Sequence, residues 1–345
     1  MAEDPTRVDS GDAPTRQTGS EPLRPPSPGS STLARFPTPS GDGNPAAGVE
    51  PPLGPAPVLD FDCWILSGPT ASGKSALAIR LARRLDAEIV SVDSMGVYRV
   101  LDVGTAKPTP EQRAAVPHHL LDVVPPSDTF SVAHWLAAAG AAVTDCRSRG
   151  RRILFVGGTP LYLRALRDGL APVPGADPDV RRALASEANI HGSAALHDRL
   201  ATVDPAAAAR IHPHDVKRII RALEVAETTG RPLSGAFAPA PHPVFATQML
   251  VLDVPRITLR ERIDRRVERM FAGGLVEETE AALAAPGGIG FTARQAAGYA
   301  EAIDLLAGRI DRGTAIRRTQ QRTRQLAKRQ LTWLRSFPQA VWIPA

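Results

Sequence analysis

From about residue 62 onward, apolar positions fall into short continuous runs that alternate with stretches of helical period. Trp64-Ile65-Leu66-Ser67 reads as a buried strand, and residues 76–85 repeat apolar side chains at helix spacing. Residues 88–94 form a second strand that ends in the acid Asp93, and residues 118–124 form a third. A helix is predicted from Phe130 to about Arg149, then a strongly apolar strand over 152–156 closed by Gly157-Gly158-Thr159, then a helix over 161–168. Strands that alternate with helices predict a parallel sheet covered on both faces.

Between about Ala171 and Ala246 the pattern becomes helical, with proline-rich turns. Helices are predicted over 179–188 and 215–228, so this stretch reads as a helical insertion. A returning strand over 248–253 is followed by an amphipathic helix over 259–284 with a break at Gly273-Gly274. The last helix, over 314–337, carries Arg317, Arg318, Arg322, Arg324, Lys328, Arg329 and Arg335 and no acid. The expected domains are a tail over 1–58, a first core part over 59–170, the insertion over 171–246 and a second core part over 247–345.

The tail is rich in Pro, Gly, Ser and Thr and has almost no apolar period. Such a segment buries too little surface to offset its ordering entropy, so disorder is expected there. With 345 residues and 43% hydrophobic residues, the remainder can build a real core. Two cysteines, Cys63 and Cys146, argue for a reducing compartment rather than a disulfide framework, and no apolar run reaches membrane-spanning length. These features predict a soluble, cytoplasmic chain. The net charge of +5 is a weak pointer to nucleic acid, but an acid-free helix is a stronger one.

The chemistry centres on Gly68-Pro69-Thr70-Ala71-Ser72-Gly73-Lys74-Ser75, which fits G-x-x-x-x-G-K-[ST] between a strand and a helix. Its glycines let successive N–H groups point inward, and the helix aims its positive end at the same place. Lys74 adds a cation, and the Ser75 hydroxyl can ligate Mg²⁺. Many such loops have a second acid at the end of an apolar strand. Here that strand ends in neutral Thr159, and the acid is Asp93 on another strand. Asp93 can be a general base, a magnesium ligand or a cap; Thr159 can be a donor or a plain N-cap. A phosphate-rich ligand is therefore expected, and an ATP-dependent small-molecule kinase or an RNA-binding protein with a degenerate site are the competing readings.

Taken together, the motifs resemble the tRNA dimethylallyltransferase (tRNA isopentenyltransferase) family. The resemblance runs through Gly68–Ser75, Val92-Asp93-Ser94-Met95 with Tyr98, Gly104-Thr105-Ala106-Lys107-Pro108 and Pro117-His118-His119-Leu120-Leu121-Asp122. It continues through Val156-Gly157-Gly158-Thr159, Ile211-His212-Pro213 with Asp215, Arg294-Gln295 with Gly298-Tyr299, and Gln325 to Arg335. It implies a P-loop NTPase-like α/β fold and transfer of a dimethylallyl group from dimethylallyl diphosphate to an adenosine amine beside the anticodon of tRNA. The recipient tRNAs would be those reading codons that begin with U. It further implies that Asp93 is the general base, that Thr159 donates to the leaving diphosphate, and that Lys74, Ser75 with Mg²⁺, and Arg262 neutralise it. Contacts to the anticodon stem-loop are implied for Asp93, Ser94, Met95, Gly96, Thr159, Arg181, Lys217, Arg218, Arg221, Arg294, Gln295, Gly298, Tyr299, Lys328, Arg329, Gln330, Trp333 and Arg335. A monomer is expected, because one chain carries a complete crevice. The sequence departs from the family at Gly96, where glutamine is usual, at Val100, usually glycine, at Pro160, usually glycine or methionine, and at Ala300, often basic. Gly96 offers no side chain to read a base edge.

Overall fold

The computed structural model describes residues 62–236 and 248–345; the expected tail lies outside the described residues. In chain order the first half contains β1 (Cys63–Ser67), α1 (Lys74–Leu85), β2 (Ala87–Val92), α2 (Pro110–Ala115), β3 (His118–His119), α3 (Val132–Ser148), β4 (Arg152–Gly157) and α4 (Pro160–Asp168). The insertion holds α5 (Pro178–Val203), α6 (Pro205–Ala208), α7 (Val216–Thr229) and α8 (Leu233–Ala236). The chain then returns as β5 (Gln248–Asp253), α9 (Arg256–Ala272), α10 (Leu275–Ala284), α11 (Tyr299–Leu306), α12 (Arg312–Leu334) and β6 (Ala340–Pro344). The six strands form one sheet in the order β3-β2-β4-β1-β5-β6, and every pair is parallel.

Alternation along the strands divides the core into two layers. Leu66, Ile89, Leu154 and Leu252 point to the face covered by Ala78 and Ala82 of α1. Ile65, Val90, Val92, Phe155 and Val251 point to the other face, where they join Trp135 of α3 and Tyr162 and Leu166 of α4. The Trp135 and Tyr162 rings stack with centroids 4.5 Å apart. The insertion has an apolar cluster of its own, built from Leu184, Leu196, Leu200, Ile219 and Leu223. A fourth cluster joins α9 to α12 through Val254, Leu259, Ile263 and Ala327, with Ala71 of the glycine loop packed against it.

Two expectations needed correction, and one strand was not anticipated. The third strand ends after His119, because Leu120 (φ 62°) and Asp122 (φ 57°) turn left-handed. That turn is held by Lys107 and Arg113, whose side chains donate to the two oxygens of Asp122 at 2.6 and 2.5 Å. The helix expected over 179–188 extends to Val203, with one non-helical residue at Gly192 (φ 82°). Strand β6 was not anticipated; it is short, ends in Pro344 and pairs with β5 at the edge of the sheet. The break at Gly273-Gly274 holds, and Gly274 adopts φ 95°. Val100 sits at φ 56°, a conformation that strains a β-branched residue and suits the glycine usual in the family.

At the opposite edge of the sheet from the glycine loop, the buried Glu88 carboxylate accepts from both terminal nitrogens of Arg149 and lies 2.7 Å from His119 Nε2. The Arg149 guanidinium, helped by His119, overcomes burial and holds the Glu88 pKa at about 2. A depressed carboxylate pKa contributes stability that is present above its ordinary value of 4.5 and is lost as pH falls toward 2. Glu88→Gln should remove on the order of 3 kcal/mol at pH 7. The gap between wild type and Glu88→Gln in urea unfolding should narrow steadily between pH 4.5 and pH 2. A gap independent of pH would show that the Glu88 charge contributes nothing.

Candidate active site

The carboxyl ends of β1, β2 and β4 open into a crevice of about 1230 Å³. This is the edge at which parallel α/β sheets bind ligands. The glycine loop forms one wall. Gly68 takes φ 146° and Gly73 φ 95°, which brings the backbone round to the start of α1. Lys74 Nζ donates to the carbonyls of Gly68 (2.8 Å) and Pro69 (2.6 Å). Arg262 of α9 donates to the Ser72 carbonyl at 3.3 Å, so the sequence-expected Arg262 does reach the loop.

Asp93 and Thr159 face the same crevice. The Asp93 Oδ1 accepts from the backbone N–H of Met95 (2.8 Å) and Gly96 (3.4 Å), which leaves Oδ2 available as a proton acceptor. Thr159 is the first residue before α4, but its hydroxyl does not cap that helix. Its Oγ1 instead accepts from Ser94 N–H at 3.1 Å, and its own O–H is left to donate into the crevice. The plain N-cap reading of Thr159 is thereby removed. Pro160 occupies the first turn of α4, where its missing N–H has no consequence.

The turn that carries Thr159 is fastened from three sides. Ser67 Oγ donates to the Gly157 carbonyl (2.8 Å), Gln330 Nε2 donates to the Gly158 carbonyl (2.9 Å), and Thr159 N–H donates to the Val92 carbonyl (3.2 Å). A Cβ on Gly157 would sit 2.1 Å from Val92 O, and one on Gly158 would sit 2.8 Å from Gly68 O. Both positions therefore demand glycine.

Arg266, one helical turn beyond Arg262 on α9, was not among the sequence-derived candidates. It lines the crevice, and its buried Nε has no hydrogen-bond partner among the described residues. Burial lowers its pKa, opposed by the nearby Asp93 charge. Its i+4 spacing from Arg262 was the available signal. With Lys74, Arg262, Arg265 and Arg269 it makes the crevice cationic, which suits a polyanionic ligand. Ser75 also lines the crevice at the first turn of α1. Its hydroxyl is a hard oxygen donor that fits Mg²⁺, an ion that keeps most of its shell as water and phosphate oxygen.

Of the expected RNA contacts, Asp93, Ser94, Met95, Gly96 and Thr159 line the crevice, and the rest separate into two groups. Lys217, Arg218, Arg294, Gln295, Lys328, Arg329 and Arg335 are exposed. Lys328, Arg329 and Trp333 also line a shallow surface pocket on α12, a pairing of cations and an aromatic face that suits RNA. The second group is tied to other groups of the protein. Tyr299 is fully buried; its OH donates to Glu278 (2.6 Å) and accepts from Gly104 N–H (3.2 Å). Gly298 is buried against Leu275, which a Cβ would approach to 2.7 Å. Gln330 is buried between two loops. Arg181 and Arg221 both hold the carboxylate of Glu224, which is fully buried, and Arg221 also donates to the carbonyls of Pro174 and Gly175. Tyr299, Gly298 and Gln330 serve the core, while Arg181 and Arg221 hold the joint of the insertion and keep part of their surface open to solvent.

Burial, reinforced by the Arg266 charge, lowers the Lys74 pKa to about 7. An anion bound beside Lys74 would raise that pKa again. At pH 8, calorimetric binding of inorganic diphosphate should therefore show more proton uptake in wild type than in Lys74→Met. The difference should vanish at pH 5, where the ammonium is protonated before binding. Equal proton uptake at both pH values would refute the depressed pKa.

Comparison with known proteins agrees with this geometry. The IPP transferase family model matches residues 96–337, and the isopentenyl transferase model matches residues 61–122. The tRNA dimethylallyltransferase of Anaeromyxobacter dehalogenans (strain 2CP-C) is 52% identical over 280 residues, covering 81% of this chain and 93% of that protein. The tRNA dimethylallyltransferase of Geobacter sulfurreducens is 49% identical, covering 81% and 90%. Among solved structures, the full-length tRNA isopentenylpyrophosphate transferase of Bacillus halodurans is 40% identical, with a TM-score of 0.58 over 82% of this chain and 89% of that one. A eukaryotic dimethylallyltransferase acting on tRNA is 27% identical, with a TM-score of 0.68 over 82% and 73%. With a parallel sheet, a glycine loop and an Asp93–Thr159 crevice in the places those motifs require, this chain belongs to the IPP transferase family.

Proposed function

We propose that this chain transfers a dimethylallyl group from dimethylallyl diphosphate to the exocyclic amine of the adenosine 3′-adjacent to the anticodon, position 37, in tRNAs that read codons beginning with U. The observation that carries this reading is the acid-free end of β4, Gly157-Gly158-Thr159, placed between Asp93 at the end of β2 and the phosphate loop that follows β1. A P-loop kinase or hydrolase would be expected to have a magnesium-binding acid at that strand end. The 52% identity to a protein named tRNA dimethylallyltransferase supports the same reading.

The reaction breaks the C1–O bond of the prenyl diphosphate and forms a bond between C1 and the adenine amine. Asp93 Oδ2 takes the amine proton, and diphosphate leaves. The carboxylate is pinned by two backbone N–H groups, so no reorganisation is needed when the proton moves. The Thr159 O–H donates to the oxygen that departs with the diphosphate. Lys74, Arg262 and Arg266 offset the charge that develops on it. Ser75 would hold Mg²⁺ together with diphosphate oxygens, and the ion would supply further neutralisation of the leaving group. The adenine has to leave its stack to reach the crevice, so the target base is flipped. Lys328, Arg329 and Arg335 on α12 contact the RNA backbone, with Lys217, Arg218 and Arg294 as further cationic contacts.

Among the described residues no helix is long and apolar enough to cross a membrane. We place the enzyme in the cytoplasm, with its tRNA substrate, and as a monomer, since one chain carries every group named above.

Incubation with radiolabelled dimethylallyl diphosphate, Mg²⁺ and unmodified tRNA should place label in the anticodon loop. Absence of label in any tRNA, with folded protein, would sink the proposal. Asp93→Ala should lower kcat by about two to four orders of magnitude, as expected for a lost general base. Unchanged turnover would remove Asp93 from that role. Arg329→Ala should weaken tRNA binding and reduce the slope of log K against log salt by about one. An unaltered slope would exclude Arg329 from the phosphate contacts.

A further inference from the structure

Gln330 lies on the basic helix α12, yet its side chain points into the protein and is 8% exposed. Its Oε1 accepts from the backbone N–H of Thr70 in the glycine loop at 2.8 Å. Its Nε2 donates to the carbonyl of Gly158, next to Thr159, at 2.9 Å. One amide thus spans the two loops that a prenyl diphosphate must touch together: phosphates on the first, the departing oxygen at Thr159 on the second. The close approach is built in, because a Cβ on Gly158 would lie 2.8 Å from Gln330 Nε2. A primary amide supplies an acceptor and a donor on separate atoms of one flexible side chain. A carboxylate keeps the first bond and loses the second; an apolar chain loses both. The neighbouring Lys328 and Arg329 are exposed on the same helix, so the residue sits directly beneath the proposed RNA surface.

We propose that Gln330 is a positioning residue for prenyl transfer, acting by fixing the separation between the glycine loop and Thr159 rather than by contacting RNA. This rests on the transferase reading above. A shift of one loop by about 1 Å can cost on the order of 10²-fold in rate while binding survives.

The test compares the full-length wild type with Gln330→Met and Gln330→Glu. Thermal unfolding is followed beside single-turnover transfer at saturating tRNA and prenyl diphosphate, and tRNA affinity is measured separately. The expected result is a fall in the single-turnover rate of about 10- to 100-fold in both variants, with tRNA Kd within about twofold of wild type. Gln330→Glu, which also places a negative charge beside the diphosphate, should in addition raise KM for the prenyl diphosphate. Should Gln330→Met lose its unfolding transition, Gln330→Glu decides alone. Rates within about twofold of wild type would overturn the proposal and leave the transferase reading intact. So would weakened tRNA binding with an unchanged saturated rate, which would return Gln330 to the RNA surface. A wild type that labels no tRNA would withdraw both readings together.

Discussion

The architecture of the crevice depends on how closely the Gly157-Gly158 backbone approaches its neighbours. The Gly157 carbonyl is met by the Ser67 hydroxyl, the Gly158 carbonyl by the Gln330 amide, and Thr159 N–H by the Val92 carbonyl. Any side chain at either glycine would collide with backbone. Because the two glycines occupy so little space, the ends of β1, β2 and β4 and the buried side of α12 converge. The donor Thr159 and the base Asp93 are then linked through the Ser94 N–H. A buried carbonyl left without a donor would cost about 1–3 kcal/mol, so each of these contacts also stabilises the turn that carries the chemistry.

A second theme is the use of carboxylates as organisers at some distance from the chemistry. Glu278 of α10 accepts from the consecutive backbone N–H groups of Asp102 and Val103 and from the Tyr299 hydroxyl. A Cβ on Gly104 would lie 2.4 Å from the Tyr299 ring, so Gly104 and Tyr299 fit each other. The two motifs are therefore halves of one internal lock. Glu224 plays a comparable part in the insertion, where Arg181 and Arg221 close on it and on the backbone at Pro174 and Gly175. Two guanidiniums on one carboxylate hold the joint of the insertion in place. Lys107, nearly fully buried, binds Asp102, Asp122 and the Tyr98 carbonyl in the same manner.

Much of this was legible in the sequence. The strands at 64–67, 88–92, 152–156 and 248–253 carry apolar runs bounded by glycine, proline or acid, and the structure places each of them in the sheet. The glycine loop announces itself because its spacing has a mechanical meaning. Asp93 and Thr159 could be singled out as the polar ends of apolar strands, and they do meet in one crevice. Strand β6 was not legible, since five residues ending in proline gain their strand character only from pairing with β5. Arg266 was hidden for a different reason: α9 is rich in arginine, and periodicity does not say which of them is buried.

The sequence by itself determined the class of fold, the phosphate loop and the residue types available for chemistry, because those follow from local periodicity and from short motifs with fixed geometry. Only the tertiary structure decided which polar residues face solvent. Arg329 and Gln330 are adjacent in one basic helix, yet the first is exposed and the second joins two loops across the crevice. Likewise Arg218 is exposed, whereas Arg221 closes on a buried carboxylate. A helix turns about 100° per residue, so neighbours in sequence point in different directions. What each one meets there is set by the packing of other elements, some of them far along the chain: Thr70 and Gln330 are 260 positions apart.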